Sequence, residues 1–351
     1  MKKIIKEIFF NNIGLTCNFA EALISRPGKD NVLTKSLITI GEAIHASIAR
    51  TGAVMRQLAE LGPWAYSTAS EPLDYIRSLI ESQVRDSADY IAVNLDAFGE
   101  ADPQAAVDMM VEYVRLVRRW GGGVPICIDS SNNDVLIAGL KEWSAGQEPV
   151  GQPLINSVKV YTMAEMLALK KDFDFAFVGL LVSEDAATGP GGSHSVDELY
   201  SLARRIFDSA VAKHGFAPEE IFFDSTVFPL AIDMPMAPGV PGYTYRAFET
   251  IRRIKSDPQM KGAHCSLGIS NCARDLPARK IGICRAYAAK AMEYGLDAAI
   301  VNVAHHYGEV EPAADLLELV DAYARMDGSP EAMIRAMDLM GKFCRDSRES
   351  S

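Results

Sequence analysis

No two of the six cysteines in this chain stand in a Cys-x-x-Cys spacing. Neither a zinc ribbon nor a disulfide frame is therefore expected, and the thiols read as reduced intracellular groups. Positive charge is also scarce: 35 Lys and Arg against 46 Asp and Glu leave a formal charge of -11. That argues against a general nucleic-acid binder, which needs a basic face. No apolar run reaches the roughly 18 residues of a membrane helix. No Gly-x-Gly-x-x-Gly turn follows the first strand, which removes the main support for an open, doubly wound sheet. Met1-Lys2-Lys3 imitates the head of an export signal, but Lys6, Glu7, Asn11 and Asn12 interrupt the apolar residues behind it. A cytoplasmic protein that binds neither nucleic acid nor membrane is expected.

What is present is a chain of 351 residues, 48 % of them apolar. That suffices for one large domain with a substantial core, or two ordinary ones. From Leu37 onward, short apolar runs alternate with segments of helical period. The runs are Leu37 to Gly41, Tyr90 to Asn94, Pro125 to Asp129 and Leu154 to Ser157, then Phe175 to Leu181, Ile221 to Asp224, His264 to Gly268 and Ala298 to Val303. Between them, Asp102-Pro103 opens a helix to about Trp120 with Val107, Met110, Val111, Val114 and Val117 on one face. Ser195 and Glu198 form a capping box, and the helix they open ends at His214-Gly215. The strands are unbroken apolar runs, as expected when both faces are covered. Eight strand-helix units predict an α/β protein, a closed (β/α)8 TIM barrel over residues 37–326. Residues 1–36 form an N-terminal extension, and residues 327–351 an extra C-terminal helix and tail.

In such a barrel the working groups sit at the carboxyl ends of the strands. Here that position holds Glu42 after strand one, Asn94 and Asp96 after strand two, Asp129 after strand three and Asn156 after strand four. Asp224 ends strand six, Gly268-Ile269-Ser270-Asn271 follows strand seven, and Asn302 follows strand eight. The set is rich in Asp and Asn and poor in His, Cys and Lys. Carboxylates and amides without a cation suit a ligand rich in N–H donors and ring nitrogens, and suit a phosphorylated one poorly. Any single Asp or Asn at a strand end also serves as a helix N-cap, but several together make a wholly structural set less economical.

Four pieces carry a resemblance: Cys127-Ile128-Asp129-Ser130-Ser131-Asn132, Leu154-Ile155-Asn156-Ser157, Phe223-Asp224-Ser225 and Leu267-Gly268-Ile269-Ser270-Asn271. In order and spacing they resemble the pterin-binding methyltransferases, barrel enzymes that move a methyl group between tetrahydrofolate and a corrinoid. Arg279 and Gly295-Leu296-Asp297-Ala298 extend the match. The resemblance implies that Asp129, Asn156 and Asp224 bind the pterin edge and that Asn271 approaches N5, where the methyl sits. By position it adds Asn94, Ser270, Gly268, Arg279 and Glu42 to the binding set. It implies tetrahydrofolate or 5-methyltetrahydrofolate as substrate, a corrinoid (cobalamin) carried by a partner protein or free, a homodimer, and no metal site in the chain itself. The alternatives are a dihydropteroate-synthase-like pterin enzyme, whose late Lys and Ser-Arg motifs are missing, and a non-catalytic pterin-binding subunit that docks a corrinoid protein.

The chain also departs from the family pattern. Gly41-Glu42-Ala43-Ile44-His45 replaces Gly-Glu-Arg-Ile-Asn, Ala92 stands where an acid is common, and Ser225 where proline is common. His305-His306-Tyr307 reads as a loop-structural or partner-contacting element, because adjacent histidines do not make an i, i+4 ligand pair. Gly189 to His194 is a mobile loop or a long connector, and the apolar run Met234 to Gly242 is a candidate surface for the corrinoid partner. Ser25-Arg26-Pro27-Gly28 precedes the first strand and is set aside.

Overall fold

The computed structural model describes residues 37–146, 151–183, 195–235 and 239–349, with side chains to residue 346. The expectations for Ser25 to Gly28 and for Gly189 to His194 lie outside these residues. Eight strands form a closed parallel barrel in sequential order, with the eighth paired to the first. They are β1 (Ile38–His45), β2 (Tyr90–Asn94), β3 (Ile126–Asp129), β4 (Leu154–Val158), β5 (Ala176–Leu180), β6 (Ile221–Asp224), β7 (His264–Gly268) and β8 (Ala298–Val301). The helices are α1 (Ala49–Leu61), α2 (Glu71–Arg85), α3 (Asp96–Gly99), α4 (Pro103–Trp120), α5 (Asn133–Ala145) and α6 (Met163–Ala168). They continue with α7 (Val196–His214), α8 (Tyr243–Ser256), α9 (Lys280–Glu293), α10 (Ala314–Ala324) and α11 (Pro330–Glu349). This is a (β/α)8 TIM barrel, and no described helix is long and apolar enough to cross a membrane.

The helices start where the side chains dictate. Asp102 accepts from the backbone N–H of Gln104 (3.1 Å) and Ala105 (3.2 Å), and Pro103 supplies a pre-set first turn for α4. Before α7, Ser195 Oγ accepts from Glu198 N at 3.2 Å and Glu198 Oε2 accepts from Ser195 N at 2.6 Å, which completes the expected capping box. The buried face of α4 is Ala106, Met109, Met110, Tyr113, Val114, Leu116 and Val117, with Val107 and Val111 only half-buried beside it. Tyr113 joins this face, its ring meeting Tyr66 edge-on at 5.8 Å between α4 and the segment after α1.

Period-two alternation divides the strand residues between two apolar layers. Outward residues such as Ile91, Ile128, Ile155 and Phe223 pack under the helices. Inward residues close the barrel interior: Ile40, Ala92, Cys127, Leu154, Ala176, Val178, Phe222 and Ala298. Cys127 is one of these packing groups.

The first strand is longer than its sequence suggests. It runs to His45 and shifts register against β2 between Gly41 and Ile44. Such bulges free backbone groups and re-aim side chains. The freed N–H of Ala43 donates to Gln83 Oε1 of α2 at 3.2 Å. Gly41 permits that reach, since a Cβ there would lie 2.2 Å from the same oxygen.

Candidate active site

Two residues beyond each inward core residue, the chain reaches the barrel mouth on the same face. Ile40 leads to Glu42, Ala92 to Asn94, Cys127 to Asp129, Leu154 to Asn156 and Phe222 to Asp224. The positions on β5, β7 and β8 are Leu180, Gly268 and Ile300. The sheet register sets them side by side: Asn94 pairs with Asp129, Asp129 with Asn156, Leu180 with Asp224, and Gly268 with Ile300. Neighbours in this ring therefore stand about 4.8 Å apart along the hydrogen-bonding direction. The interior layer below is apolar apart from Ser266 on β7, so the mouth is a largely polar ring on a mostly apolar floor.

A cavity of about 370 Å³ opens on this ring, within the size range of small-ligand sites. Glu42, Asp129, Asn156, Asp224, Gly268 and Asn271 all line it, with Leu180, Val227 and Ile300 as apolar wall. Burial dominates its electrostatics. It pushes the Asp129 carboxyl up to about 7; a hydrogen bond from Asn94 opposes the shift, and the acids Asp96, Asp224 and Glu42 add to it. Burial also pushes Glu42 up to about 7, against a hydrogen bond from Ser270 Oγ at 3.2 Å. Asp224 rises to about 6 for the same reason, although Thr226 N donates to its Oδ1 at 2.7 Å. Three carboxyls thus stand in a dry mouth with few internal donors, a setting that favours a ligand bringing N–H groups.

Asp96 is held differently. Its Oδ1 accepts from Ser130 Oγ at 2.6 Å and its Oδ2 from Ser131 N at 2.9 Å, while its own N–H donates to Asn94 Oδ1 at 3.2 Å. It ties the loop after β2 to the loop after β3. Asn132 then caps α5 by accepting from Asp134 N at 2.8 Å. Ser130, Ser131 and Asn132 thus form a brace behind Asp129.

Two titratable lining residues fall outside the sequence-derived set. Lys159 follows β4 and His45 ends β1, and both face the cavity. The expectation of a site without a cation is corrected by Lys159. Its ammonium is pulled below its usual range by burial, opposed by Asp96 and Asp129. His45 is also lowered by burial, and its Nδ1 accepts from Ser47 N at 3.1 Å. Both residues lie just past where an apolar run stops, so a reading that ends each strand with its hydrophobic run leaves them in loops.

A second cavity, about 420 Å³, adjoins the first across Glu42 and Asn271, which line both. Ser270, Arg274, Lys280 and Asn302 face it, together with Ile48, Ile281 and Tyr307. His305 is part of this wall, and its Nδ1 lies 2.7 Å from the Tyr307 hydroxyl. Asn271 Nδ2 donates to Gly268 O at 3.3 Å, and a Cβ at Gly268 would lie 3.1 Å from that nitrogen.

The structure thus brings Glu42, Asp129, Asn156, Asp224, Gly268 and Asn271 together and puts Ser270 on the adjoining wall. Asn94 is buried behind Asp129 and acts through it. Arg279 lines neither cavity; it precedes α9 and pairs with Asp315 of α10, one of the two contacts being 3.1 Å. Among the described residues, no group of three or more His, Cys, Asp or Glu is arranged to hold a metal ion.

Solved structures similar to this chain include two dihydropteroate synthases. That of Stenotrophomonas maltophilia shares 17 % identity at a TM-score of 0.46, covering 72 % of this chain and 89 % of that one. That of Thermus thermophilus shares 15 % identity at a TM-score of 0.43, covering 78 % and 91 %. Likeness at that level does not distinguish one activity from another. The sequence pattern of the family described as pterin binding enzyme matches residues 67–302, which include β2 to β8 and most of the polar ring. This chain belongs to the pterin binding enzyme family.

Proposed function

We propose that the protein is a cytoplasmic, homodimeric methyltransferase that moves a methyl group between N5 of tetrahydrofolate and a corrinoid carried by a partner protein. The observation that carries this reading is the place of Asn271, on the wall shared by a carboxylate-lined cavity and a second, open one. The first cavity suits the pterin. Its 2-amino group and ring N–H form a two-donor edge that a carboxylate accepts as it would a guanidinium, and Asp129 and Asp224 are the acceptors. Asn156 both donates and accepts, so it meets a mixed edge. Leu180, Val227 and Ile300 cover the flat faces.

The chemistry then falls at the shared wall. Demethylation of 5-methyltetrahydrofolate breaks the bond between N5 and the methyl carbon, leaves the electron pair on N5, and requires a proton there. Cobalt(I) of the corrinoid substrate supplies the electron pair for the new bond to carbon. In the opposite direction the N5 lone pair forms the new bond to the methyl carbon, the electron pair of the broken methyl–cobalt bond stays on the corrinoid substrate as cobalt(I), and the N5 proton leaves. Asn271 can donate to an N5 lone pair or accept from N5–H, so it serves both states. Glu42 on the same wall, with its carboxyl near 7, is the group placed to hold the proton. Ile48, Tyr161, Ile232, Ile281 and Val310 are exposed on segments that follow the strand ends, and such apolar surface suits a protein partner that delivers the corrinoid. The described part of the apolar run Met234 to Gly242 contributes less, because Asp233 and Gly242 at its two ends are tied inward to Tyr243, Thr244 and Met326.

The test mixes the protein with 5-methyltetrahydrofolate and a cobalt(I) corrinoid and follows the cobalt absorption. Asn271→Ala should lower turnover by about a hundred-fold or more, as loss of one positioned polar group does at a developing charge, with folate affinity nearly kept. Absence of transfer in both directions with several corrinoids would overturn the reading. Condensation of a pterin pyrophosphate with 4-aminobenzoate in the same tubes would replace it with the synthase-type activity, and folate binding without either reaction with the non-catalytic subunit.

A further inference from the structure

Two of the six cysteines stand against each other beside Asn271, and methyl transfer uses neither sulfur. Cys272 lies in the short helical turn Ile269–Ala273 that follows β7, and Cys284 lies in α9. Both thiols are reduced, and their sulfurs are 3.8 Å apart. The connector between them bends at Asp275 and Arg279, which hold left-handed backbone at φ 64° and 51°.

The two thiols are unlike. Cys272 is fully buried, and burial pushes its thiol up. Cys284 is 4 % exposed and lines the second cavity, so a small solute reaches it. Its thiol is lowered by the Cys272 thiol that donates to it, and also by the Tyr307 hydroxyl and the Lys280 ammonium, against burial and the Glu42 charge. A sulfur held toward thiolate, open to a cavity and backed by a second thiol, has the surroundings of a peroxide-reactive cysteine with its resolving partner.

We infer that Cys272 and Cys284 are an oxidative modification site, and that their disulfide, formed by hydrogen peroxide, displaces the wall that carries Asn271. The Cys284 sulfur attacks one peroxide oxygen and the O–O bond breaks. The leaving hydroxide takes the Cys284 proton and becomes water. The Cys272 sulfur then attacks the Cys284 sulfenic acid, so that an S–S bond forms, the S–O bond breaks, and hydroxide leaves with the Cys272 proton as a second water. Two electrons pass from the thiols to the peroxide, and a small dithiol returns them. A disulfide holds its sulfurs about 2.05 Å apart, so one element must move by about 1.8 Å. Ile283, Ala286, Tyr287 and Ala288 anchor α9 in the core, so the displacement falls on the single turn Ile269–Ala273. It draws Ser270 Oγ from Glu42, 3.2 Å away, and Asn271 Nδ2 from Gly268 O. The cross-link stands apart from the methyl-transfer reading, whereas its effect on turnover rests on that reading.

The test treats the full chain with hydrogen peroxide, removes the peroxide, and weighs a non-reducing digest. The peptides carrying Cys272 and Cys284 should appear linked and lighter by two hydrogens. Amide hydrogen exchange over residues 268–275 should differ from that of the reduced protein. Turnover from methylcobalamin to tetrahydrofolate, a direction that needs no added reductant, should fall by about a hundred-fold with folate affinity nearly kept. A dithiol should reverse all three changes. Cys284→Ser should keep after peroxide whatever turnover it had before, and Cys284→Ala or Cys272→Ala serves if serine impairs folding. Cys344→Ser should respond as the wild type does. Oxidation of Cys284 to the sulfinic acid without a link, or a link through another cysteine, would overturn the site. A Cys272–Cys284 link that leaves hydrogen exchange unchanged would overturn the displacement. Absence of turnover in the reduced protein would overturn the methyl-transfer reading instead, and the link and the exchange would still decide this one.

Discussion

The barrel treats its carboxylates in opposite ways at its two ends. Asp297 stands just before β8, at the amino end. Its Oδ2 accepts from Lys255 Nζ at 2.6 Å and lies 3.1 Å from His264 Nδ1, and its Oδ1 accepts from Cys265 N at 2.8 Å. Although burial alone would raise it, these partners hold the carboxyl down to about 2. At the carboxyl end Asp129, Asp224 and Glu42 are short of donors, and burial pushes them to between about 6 and 7. One end uses its charge to hold strands together, and the other leaves its carboxyls with few internal partners, where the proposed ligand would supply them.

The largest effect separating the two ends should come from Asp297→Asn. It leaves Lys255 without its carboxylate and should cost about 3 kcal/mol in urea unfolding, as breaking a partly buried pair does. Folate affinity should hold. The Asp297 contribution is present above the ordinary carboxylate range and fades as pH falls through about 2. A loss of affinity without a loss of stability would break the contrast.

Asp129→Asn should act with the opposite sign on stability. A carboxyl raised to about 7 in the folded protein binds protons that the unfolded chain releases near pH 4, so folding weakens as pH climbs through that interval. The variant should melt a few degrees higher than wild type at pH 8, and the gain should vanish toward pH 4. Its folate affinity should fall about ten- to a hundred-fold, the loss of one charge-assisted contact. Asp224→Asn should behave alike, with its pH window closing nearer 6. A variant that is destabilised at pH 8 would show that the Asp129 carboxylate serves the fold.

The smallest effect sharpens the comparison within the mouth. Asp96 has internal partners in Ser130 and Ser131. Ser130→Ala should therefore cost about 1 kcal/mol of stability and change folate affinity by less than about three-fold, so that this acid sides with Asp297 despite its address. A larger change in affinity than in stability would place Asp96 with the ligand-facing group.

These contrasts explain which parts of the molecule were legible in the sequence. Asp129, Asn156 and Asp224 stand at the ends of clear apolar runs, so their place followed from strand period alone. The barrel followed from eight such runs. Lys159 and His45 were hidden because a strand can outlast its hydrophobic run, by one residue in β4 and through a bulge in β1. The bulge depends on Gln83, 40 residues away in sequence, reaching Ala43. Arg279 shows the converse. Its spacing from Asn271 fits the family pattern, but spacing is blind to Asp315, which draws the guanidinium toward α10. The second cavity was invisible because its walls come from segments after β1, β7 and β8, and only closure of the barrel makes them neighbours.

The ring at the mouth has one further consequence. Each strand contributes one position to it, and seven of the eight stand two steps above an apolar neighbour of the core, the exception being Gly268 above the buried Ser266. On the proposed reading, binding preference is written in eight positions, of which five are polar and three are Leu180, Gly268 and Ile300. A substitution at any of them edits a single letter and leaves the supporting layer intact. An inserted residue within a strand does the reverse, turning that letter toward the helices and a hydrophobic one toward the ligand. Descent within such a lineage should accordingly tolerate exchange at these positions and purge changes in strand length, and a designer seeking a new heterocycle would begin with the three letters that are not yet polar.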